Sequence, residues 1–116
     1  MSLKEKILIA DDSEMNQMLL EEILSDKYEY VMAKDGTEAV DILEKNDDID
    51  LVMLDINMPK MDGFGVLEIM NLRHWISEVP VIIISSESDV DFIRRGYDLG
   101  ASDYISRPFD LTVVRR

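Results

Sequence analysis

Three short apolar runs without polar alternation constrain the fold of this chain most. They cover residues 7–10, 51–54 and 81–84 and consist mainly of Ile, Leu, Val and Met. Because neither side of such a run is polar, each suits a strand buried on both faces, as in a parallel sheet. Residues 30–33 and 104–105 are weaker strand candidates. The sequence therefore predicts five strands.

Segments with helical spacing separate these runs. The predicted buried faces are Met15, Met18, Leu19 and Ile23; Ala39, Ile42 and Leu43; Val66, Ile69 and Met70; and Val90, Ile93 and Tyr97. The resulting order βαβαβαβαβ, with a last helix beginning near Asp110, predicts an α/β domain, doubly wound with right-handed crossovers.

Turn and cap residues agree with this order. Asp35-Gly36 and Asp62-Gly63 each predict a turn before a helix. Ser88 with Asp91 predicts an N-cap, and Gly100 predicts the end of the fourth helix.

Length and composition limit the class of protein. The 116 residues fit a single domain, 1–116, and the last helix is cut short at Arg116, so we expect the natural chain to continue. Cysteine is absent, which excludes disulfides and thiolate metal sites. The first residues lack an apolar signal segment, and the default expectation is a cytoplasmic protein without membrane spans. The net charge of −13 argues against direct nucleic-acid binding by this domain and favours Mg²⁺ or a basic partner.

Three carboxylates follow the predicted strands at matching positions. Asp11 and Asp12 come directly after the first strand, and Asp55 comes directly after the run 51–54. In a 2-1-3-4-5 sheet, the strand order reverses between strands one and three, and ligands bind beyond the carboxyl ends there. Clustered carboxylates repel one another, and a hard cation such as Mg²⁺ relieves that repulsion. The alternative, that the Asp pair merely caps the first helix, leaves Asp55 unexplained.

Two further strand ends point to the same crevice. Ser85 follows the fourth strand and offers a hydroxyl donor, whereas Arg107 follows the fifth and offers a fixed positive charge. Carboxylates for a metal, a hydroxyl and a cation are the parts that phosphoryl transfer requires. A carboxylate can itself be the nucleophile and form an aspartyl phosphate.

With these motifs in place, the chain resembles the receiver domains of two-component response regulators over nearly its whole length. The segments that carry the resemblance are 9–12, 54–63, 80–85 and 100–109, in this order and spacing. The resemblance implies a flavodoxin-like fold with strand order 2-1-3-4-5. It also implies a regulatory domain that is phosphorylated by a histidine kinase or a histidine phosphotransfer protein, not an enzyme acting on external substrates.

Residue roles follow from the resemblance, position by position. Asp55 matches the phosphoacceptor, Asp12 a direct Mg²⁺ ligand, and Asp11 a ligand that often acts through water. The backbone carbonyl of Asn57 matches the remaining protein ligand. Ser85 matches the switch hydroxyl and Tyr104 the switch aromatic. The family usually has a cis peptide before the proline that matches Pro108.

One position departs from the family pattern, because Arg107 stands where the family has Lys. Arginine keeps the charge but is longer and planar. An alternative function is therefore a pseudo-receiver, an interaction module that does not use phosphate. A phosphohydrolase is disfavoured, since the proton donor expected two residues after Asp55 is Asn57. The output domain or target is not indicated by the sequence, and a phosphorylation-dependent homodimer is a further expectation from the family.

Overall fold

The computed structural model describes residues 4–85 and 90–106, in which strands and helices alternate. The strands are β1 (Glu5–Ala10), β2 (Tyr28–Ala33), β3 (Leu51–Asp55), β4 (Val81–Ser85) and β5 (Asp103–Ser106). The helices are α1 (Glu14–Leu24), α2 (Gly36–Lys45), α3 (Gly63–Leu72) and α4 (Val90–Asp98). All five predicted strands are confirmed. The expected last helix near Asp110 and the predicted cap residue Ser88 lie outside the described residues.

The five strands form one parallel sheet in the order β2-β1-β3-β4-β5. This is the predicted order, and every crossover passes through a helix. The order reverses between β1 and β3, so a crevice opens beyond the carboxyl ends of these two strands.

Both faces of the sheet are buried, which explains why the central strands are apolar without alternation. Leu8, Val52, Leu54 and Ile83 point to the face covered by α2, α3 and α4. Ile7, Ile9, Met53 and Ile84 point to the face where Leu20 of α1 packs. Two apolar layers therefore fix the central strands from opposite sides.

The predicted buried face of α1 is wrong except for Ile23. Met15 is 78% exposed, Met18 69% and Leu19 41%, whereas Gln17, Leu20 and Ile23 are buried. Helical spacing in the sequence favoured the more apolar stripe. The helix instead turns Gln17 inward, where its amide bonds to backbone carbonyl groups described below.

The predicted buried face of α4 is also wrong in part. Val90 is 66% exposed and Tyr97 45% exposed, while Gly96 is buried. A Cβ on Gly96 would lie 2.5 Å from Cδ1 of Ile83. The absence of a side chain therefore lets α4 approach the sheet, and Phe92 packs edge-on against Phe64 of α3, with ring centroids 4.9 Å apart.

The cap predictions within the described residues are confirmed. Asp35 accepts a hydrogen bond from the backbone N–H of Glu38 at the start of α2, and Asp62 accepts one from Gly65 at the start of α3. Gly100 has a φ of 104° just after α4, a left-handed conformation that favours glycine. None of the helices in residues 4–85 and 90–106 has the length and apolar character needed to span a membrane.

Gly63 provides a test of the packing between α3 and the end of β3. A Cβ there would lie 2.5 Å from the carbonyl oxygen of Asp55 and 2.9 Å from Cα of Ile56, and both are backbone atoms that cannot give way locally. We expect Gly63→Ala to lower the free energy of unfolding by ~1–3 kcal/mol, the usual range for overpacking. Urea denaturation followed by circular dichroism measures the change.

Gly65→Ala in the same helix is the matched control. Its closest contact is the side chain of Met61, which can move, and alanine is the better helix former by ~1 kcal/mol. The two substitutions should therefore differ clearly, and equal losses of stability would contradict the proposed close approach at Gly63.

Candidate functional site

Three carboxylates converge at the crevice between β1 and β3. One oxygen each from Asp11, Asp12 and Asp55 lies within 4.8 Å of the others. Asp11 and Asp55 are almost fully buried, whereas Asp12 is exposed. The structure thus brings together the three acidic residues that the sequence singled out, and it leaves one side of the cluster open to solvent. Like charges this close favour a bound cation.

The residue after the aspartate pair caps α1. Ser13 does so, since its Oγ accepts a hydrogen bond from the backbone N–H of Asn16 at 3.3 Å. Asp11 instead uses its carboxylate to accept the N–H of Ser13 at 2.9 Å. The alternative role considered for Asp11 and Asp12 is therefore filled by another residue.

Gln17 fixes the backbone beneath the acidic cluster. Its side-chain amide donates to the carbonyl oxygens of Asp11, at 2.7 Å, and Ala33, at 3.2 Å. The N–H of Asp11 also donates to Ala33 at 3.0 Å. These bonds tie the ends of β1 and β2 to α1. The sequence pattern did not predict this role of Gln17, and its only signal was a polar residue one turn after the Asp pair.

Asp55 ends β3 on the other side of the crevice. The backbone N–H of Asn57 donates to its Oδ1 at 3.3 Å, so the loop that follows β3 bends back over the carboxylate. Asn57 itself is exposed. The role predicted for its backbone carbonyl as a metal ligand stays a prediction.

The loop between β3 and α3 contains a tight, strained turn at Lys60. Lys60 has a φ of 67°, and the N–H of Met61 donates to the carbonyl of Pro59 at 2.7 Å, a γ-turn. The N–H of Gly36 in turn donates to the carbonyl of Met61 at 3.1 Å. The start of α2 therefore holds this loop in place.

Asp35 supplies a second link between α2 and the same loop. Its carboxylate accepts a hydrogen bond from the hydroxyl of Thr37 at 2.6 Å and lies 3.7 Å from Nζ of Lys60. The Thr37 hydroxyl first, then the N–H of Glu38 and the charge of Lys60, lower the pKa of Asp35 below its ordinary value. The sequence predicted only the turn at Asp35, not this contact with Lys60.

A family comparison identifies the class of the protein. The sequence model of one protein family, the response regulator receiver domain, matches residues 7–116 of this chain. The chain belongs to this receiver family. Receiver domains form a regulatory family. The family match confirms the resemblance stated from the sequence, and the observed strand order confirms the predicted fold.

Proteins with sequences similar to this chain include a probable transcriptional regulator and a response regulator. The chain is 43% identical to the probable transcriptional regulator ycf27 of Porphyridium aerugineum, over 91% of this chain and 43% of the relative. It is 39% identical to response regulator RR06 of Streptococcus pneumoniae serotype 2, over 93% of this chain and 48% of the relative. The chain therefore spans less than half the length of these curated relatives.

A solved structure is similar to this chain in both fold and sequence. A chain of the CheX–CheY–BeF3–Mg²⁺ complex of Borrelia burgdorferi matches with a TM-score of 0.83 and 34% identity, covering 95% of this chain and 83% of that chain.

The remaining predicted site residues of the receiver domain lie on β4, β5 and beyond. Ser85 is the fully buried last residue of β4, directly after Ile84, which pairs with Asp55 in the register. Tyr104 is half-buried in β5, and its ring lies 3.9 Å from the position that a Cβ on Gly96 of α4 would take. Arg107 lies outside the described residues, as does Pro108.

Repulsion within the acidic cluster predicts a gain in stability when one charge is removed. In metal-free buffer we expect Asp12→Asn to raise the midpoint of urea unfolding, because two neighbouring carboxylates lose a repulsive partner. Asp12 is the suitable site for this change, since its exposed side chain can be altered without disturbing the core.

Asp47→Asn, in the exposed loop after α2, is the charge-matched control and should change little. In acid that protonates carboxylates, the difference between Asp12→Asn and wild type should vanish. A gain that persists there would show that the effect is not electrostatic.

Proposed function

We propose that this receiver domain accepts a phosphoryl group on Asp55 with the help of Mg²⁺ and so switches an output surface. The observation that carries the proposal is the convergence of Asp11, Asp12 and Asp55 within 4.8 Å. Clusters of this kind are costly without a cation.

The donor set of the cluster fits Mg²⁺. Carboxylate oxygens are its preferred protein ligands, and the exposed side at Asp12 leaves room for water and a phosphate oxygen. When bound, the ion would neutralise charge on the transferring group. The Borrelia burgdorferi complex, solved with BeF3 and Mg²⁺, supports the same assignment for this chain.

The carboxylate of Asp55 is the proposed nucleophile. It attacks the phosphorus of a phosphohistidine on a kinase or phosphotransfer protein, the P–N bond breaks, and an acyl phosphate forms. The N–H of Asn57 already orients one oxygen of this carboxylate. The carbonyl of Asn57 is the further protein ligand that we propose for the ion.

Ser85 and Tyr104 are the proposed switch. Ser85 ends β4 one residue beyond the partner of Asp55, so its hydroxyl is suited to donate to a phosphoryl oxygen. Tyr104 lies against α4 on the same face as Ile83. Movement of Ser85 toward the phosphoryl group would free space for the Tyr104 ring to turn inward, and this changes the α4–β5 surface.

Residues 1–116 are proposed to be the receiver unit of a longer response regulator, because the curated relatives are about twice as long. A histidine kinase or a histidine phosphotransfer protein would be the phosphodonor. The output domain or target and a phosphorylation-dependent homodimer stay predictions, as does the cytoplasmic location.

Phosphorylation is tested by intact mass after incubation with acetyl phosphate, with Mg²⁺ or with chelator. We expect a Mg²⁺-dependent gain of one phosphoryl group that is lost in Asp55→Asn. Asp12→Asn should slow the reaction by at least about 10-fold, the scale of losing one strong electrostatic contact.

Arg107→Lys separates a working receiver from a pseudo-receiver. If wild type is labelled, Arg107 replaces the family Lys adequately. If only Arg107→Lys is labelled, the domain is a pseudo-receiver in its natural form. If neither is labelled although both fold and bind Mg²⁺, the assignment of Asp55 is wrong.

Ser85→Ala tests the switch. We expect this variant to be phosphorylated, but the NMR shift changes that phosphorylation causes at Tyr104 should fall to less than about half, since one charge-assisted hydrogen bond is lost. Ser102→Ala, an exposed serine just before β5, is the matched control. Undiminished changes at Tyr104 in Ser85→Ala would contradict the coupling.

A further inference from the structure

A groove of about 550 Å³ runs between α1 and the edge strand β2. The residues that line it include the acidic Glu21, Glu22 and Asp26 and the aromatic Tyr28 and Tyr30. The groove therefore combines negative charge with aromatic surface.

The groove lies at the opposite end of the sheet from the phosphoacceptor. Tyr28 begins β2 and pairs with Glu5 at the start of β1, whereas Asp11 follows the end of β1. The helix α1 runs back from Glu14, beside the acidic cluster, toward the groove. A ligand in the groove would thus leave the cluster accessible.

The carboxylates of the groove do not form a metal site. In the described ranges, the only acidic group close enough to share an ion is that of Asp11, Asp12 and Asp55. Glu21, Glu22 and Asp26 are too widely spaced for that. They suit a larger cation that can contact several carboxylates and a ring at once.

The charges close to Tyr30 support a cationic ligand that contacts a ring. Burial first, and then the charge of Glu21, the neighbouring Tyr28 and the charge of Asp26, raise the pKa of the Tyr30 hydroxyl. The charges of Glu21 and Asp26 are therefore close enough to the Tyr30 hydroxyl to influence it. A guanidinium group can stack on a tyrosine face and bond to a carboxylate through two N–H groups.

Two other residues that line the groove, Lys4 and Met18, narrow the kind of ligand that would fit it. Lys4 provides one ammonium, so the lining keeps a net of two negative charges. Met18 extends the wall with an exposed thioether, and Met15 and Leu19 continue this apolar strip along α1. An arginine next to an apolar side chain would match both parts of the surface.

We propose that the groove between α1 and β2 is a docking site for an arginine-bearing segment of a partner protein. Charge complementarity selects a cation, the two tyrosines select a planar one, and the apolar strip on α1 selects a peptide chain over a free small cation. The site is independent of phosphate on Asp55.

The test is an NMR titration of the receiver domain with the acetylated and amidated tripeptide Arg-Leu-Arg. We expect saturable shift changes centred on Glu21, Tyr28 and Tyr30. A lysine peptide of the same length and charge should bind at least about 3-fold more weakly, because an ammonium neither stacks nor forms paired bonds as well. Equal binding would overturn the guanidinium assignment.

Variants decide whether the groove is responsible. Glu21→Gln combined with Asp26→Asn should weaken binding by at least about 5-fold, a loss typical of charge-assisted hydrogen bonds. Glu38→Gln combined with Asp98→Asn removes the same charge from exposed positions on α2 and α4 and should leave binding unchanged. Equal weakening by both pairs would mean general attraction to an acidic domain, and the proposal would fail.

Two more variants complete the design. Tyr28→Leu should weaken binding, whereas Tyr28→Phe, which keeps the ring, should not; if neither changes it, the aromatic part of the proposal is wrong. Asp55→Asn should bind the tripeptide like wild type. The docking site can therefore stand or fall separately from phosphorylation.

Discussion

Mutual repulsion among three carboxylates at the crevice between β1 and β3 is the constraint on which the rest of this structure depends. Oxygens of Asp11, Asp12 and Asp55 lie within 4.8 Å, and two of the three residues are buried. Such a cluster would spread apart on a flexible scaffold. Here β1 and β3 are adjacent and are packed on both faces, by the layer that contains Leu54 and by the layer that contains Ile9. Burial of both faces is thus what keeps the charges together.

Residues outside the acidic cluster place the backbone around it. Gln17 joins α1 to the ends of β1 and β2, and Gly36 joins α2 to the loop after β3 through Met61. Lys60, whose φ is strained, also lies 3.7 Å from the carboxylate of Asp35, a second contact between this loop and the start of α2. The geometry of the site therefore depends on neutral hydrogen bonds as much as on its charges.

Sequence patterns were sufficient for the sheet and for the acidic cluster because both depend on simple rules. Strands buried on both faces leave a continuous apolar run, and parallel strands bring their carboxyl ends to one edge. The buried faces of α1 and α4 differ in part from the predicted ones because contacts other than apolar packing decide them. On α1, carbonyl groups at the strand ends required the amide of Gln17, and on α4 a close approach required the missing side chain of Gly96. Apolar spacing reports neither a satisfied polar group nor a contact made possible by glycine.

The hydrogen bonds of Gln17 limit how far a partner docked in the groove can affect the acidic cluster through α1. A partner in the groove would contact Met18 and Glu21, while the same helix presents Gln17 to the backbone of Asp11. A ligand shifts an equilibrium only by its difference in affinity for the two states. Because the Gln17 bonds hold α1 to β1 and β2, docking would alter the phosphoacceptor site only if it moved the helix enough to weaken those bonds. Without such movement the groove recruits a partner independently of phosphate, and with it any effect on Asp55 must be matched by an equal effect of the acidic site on docking.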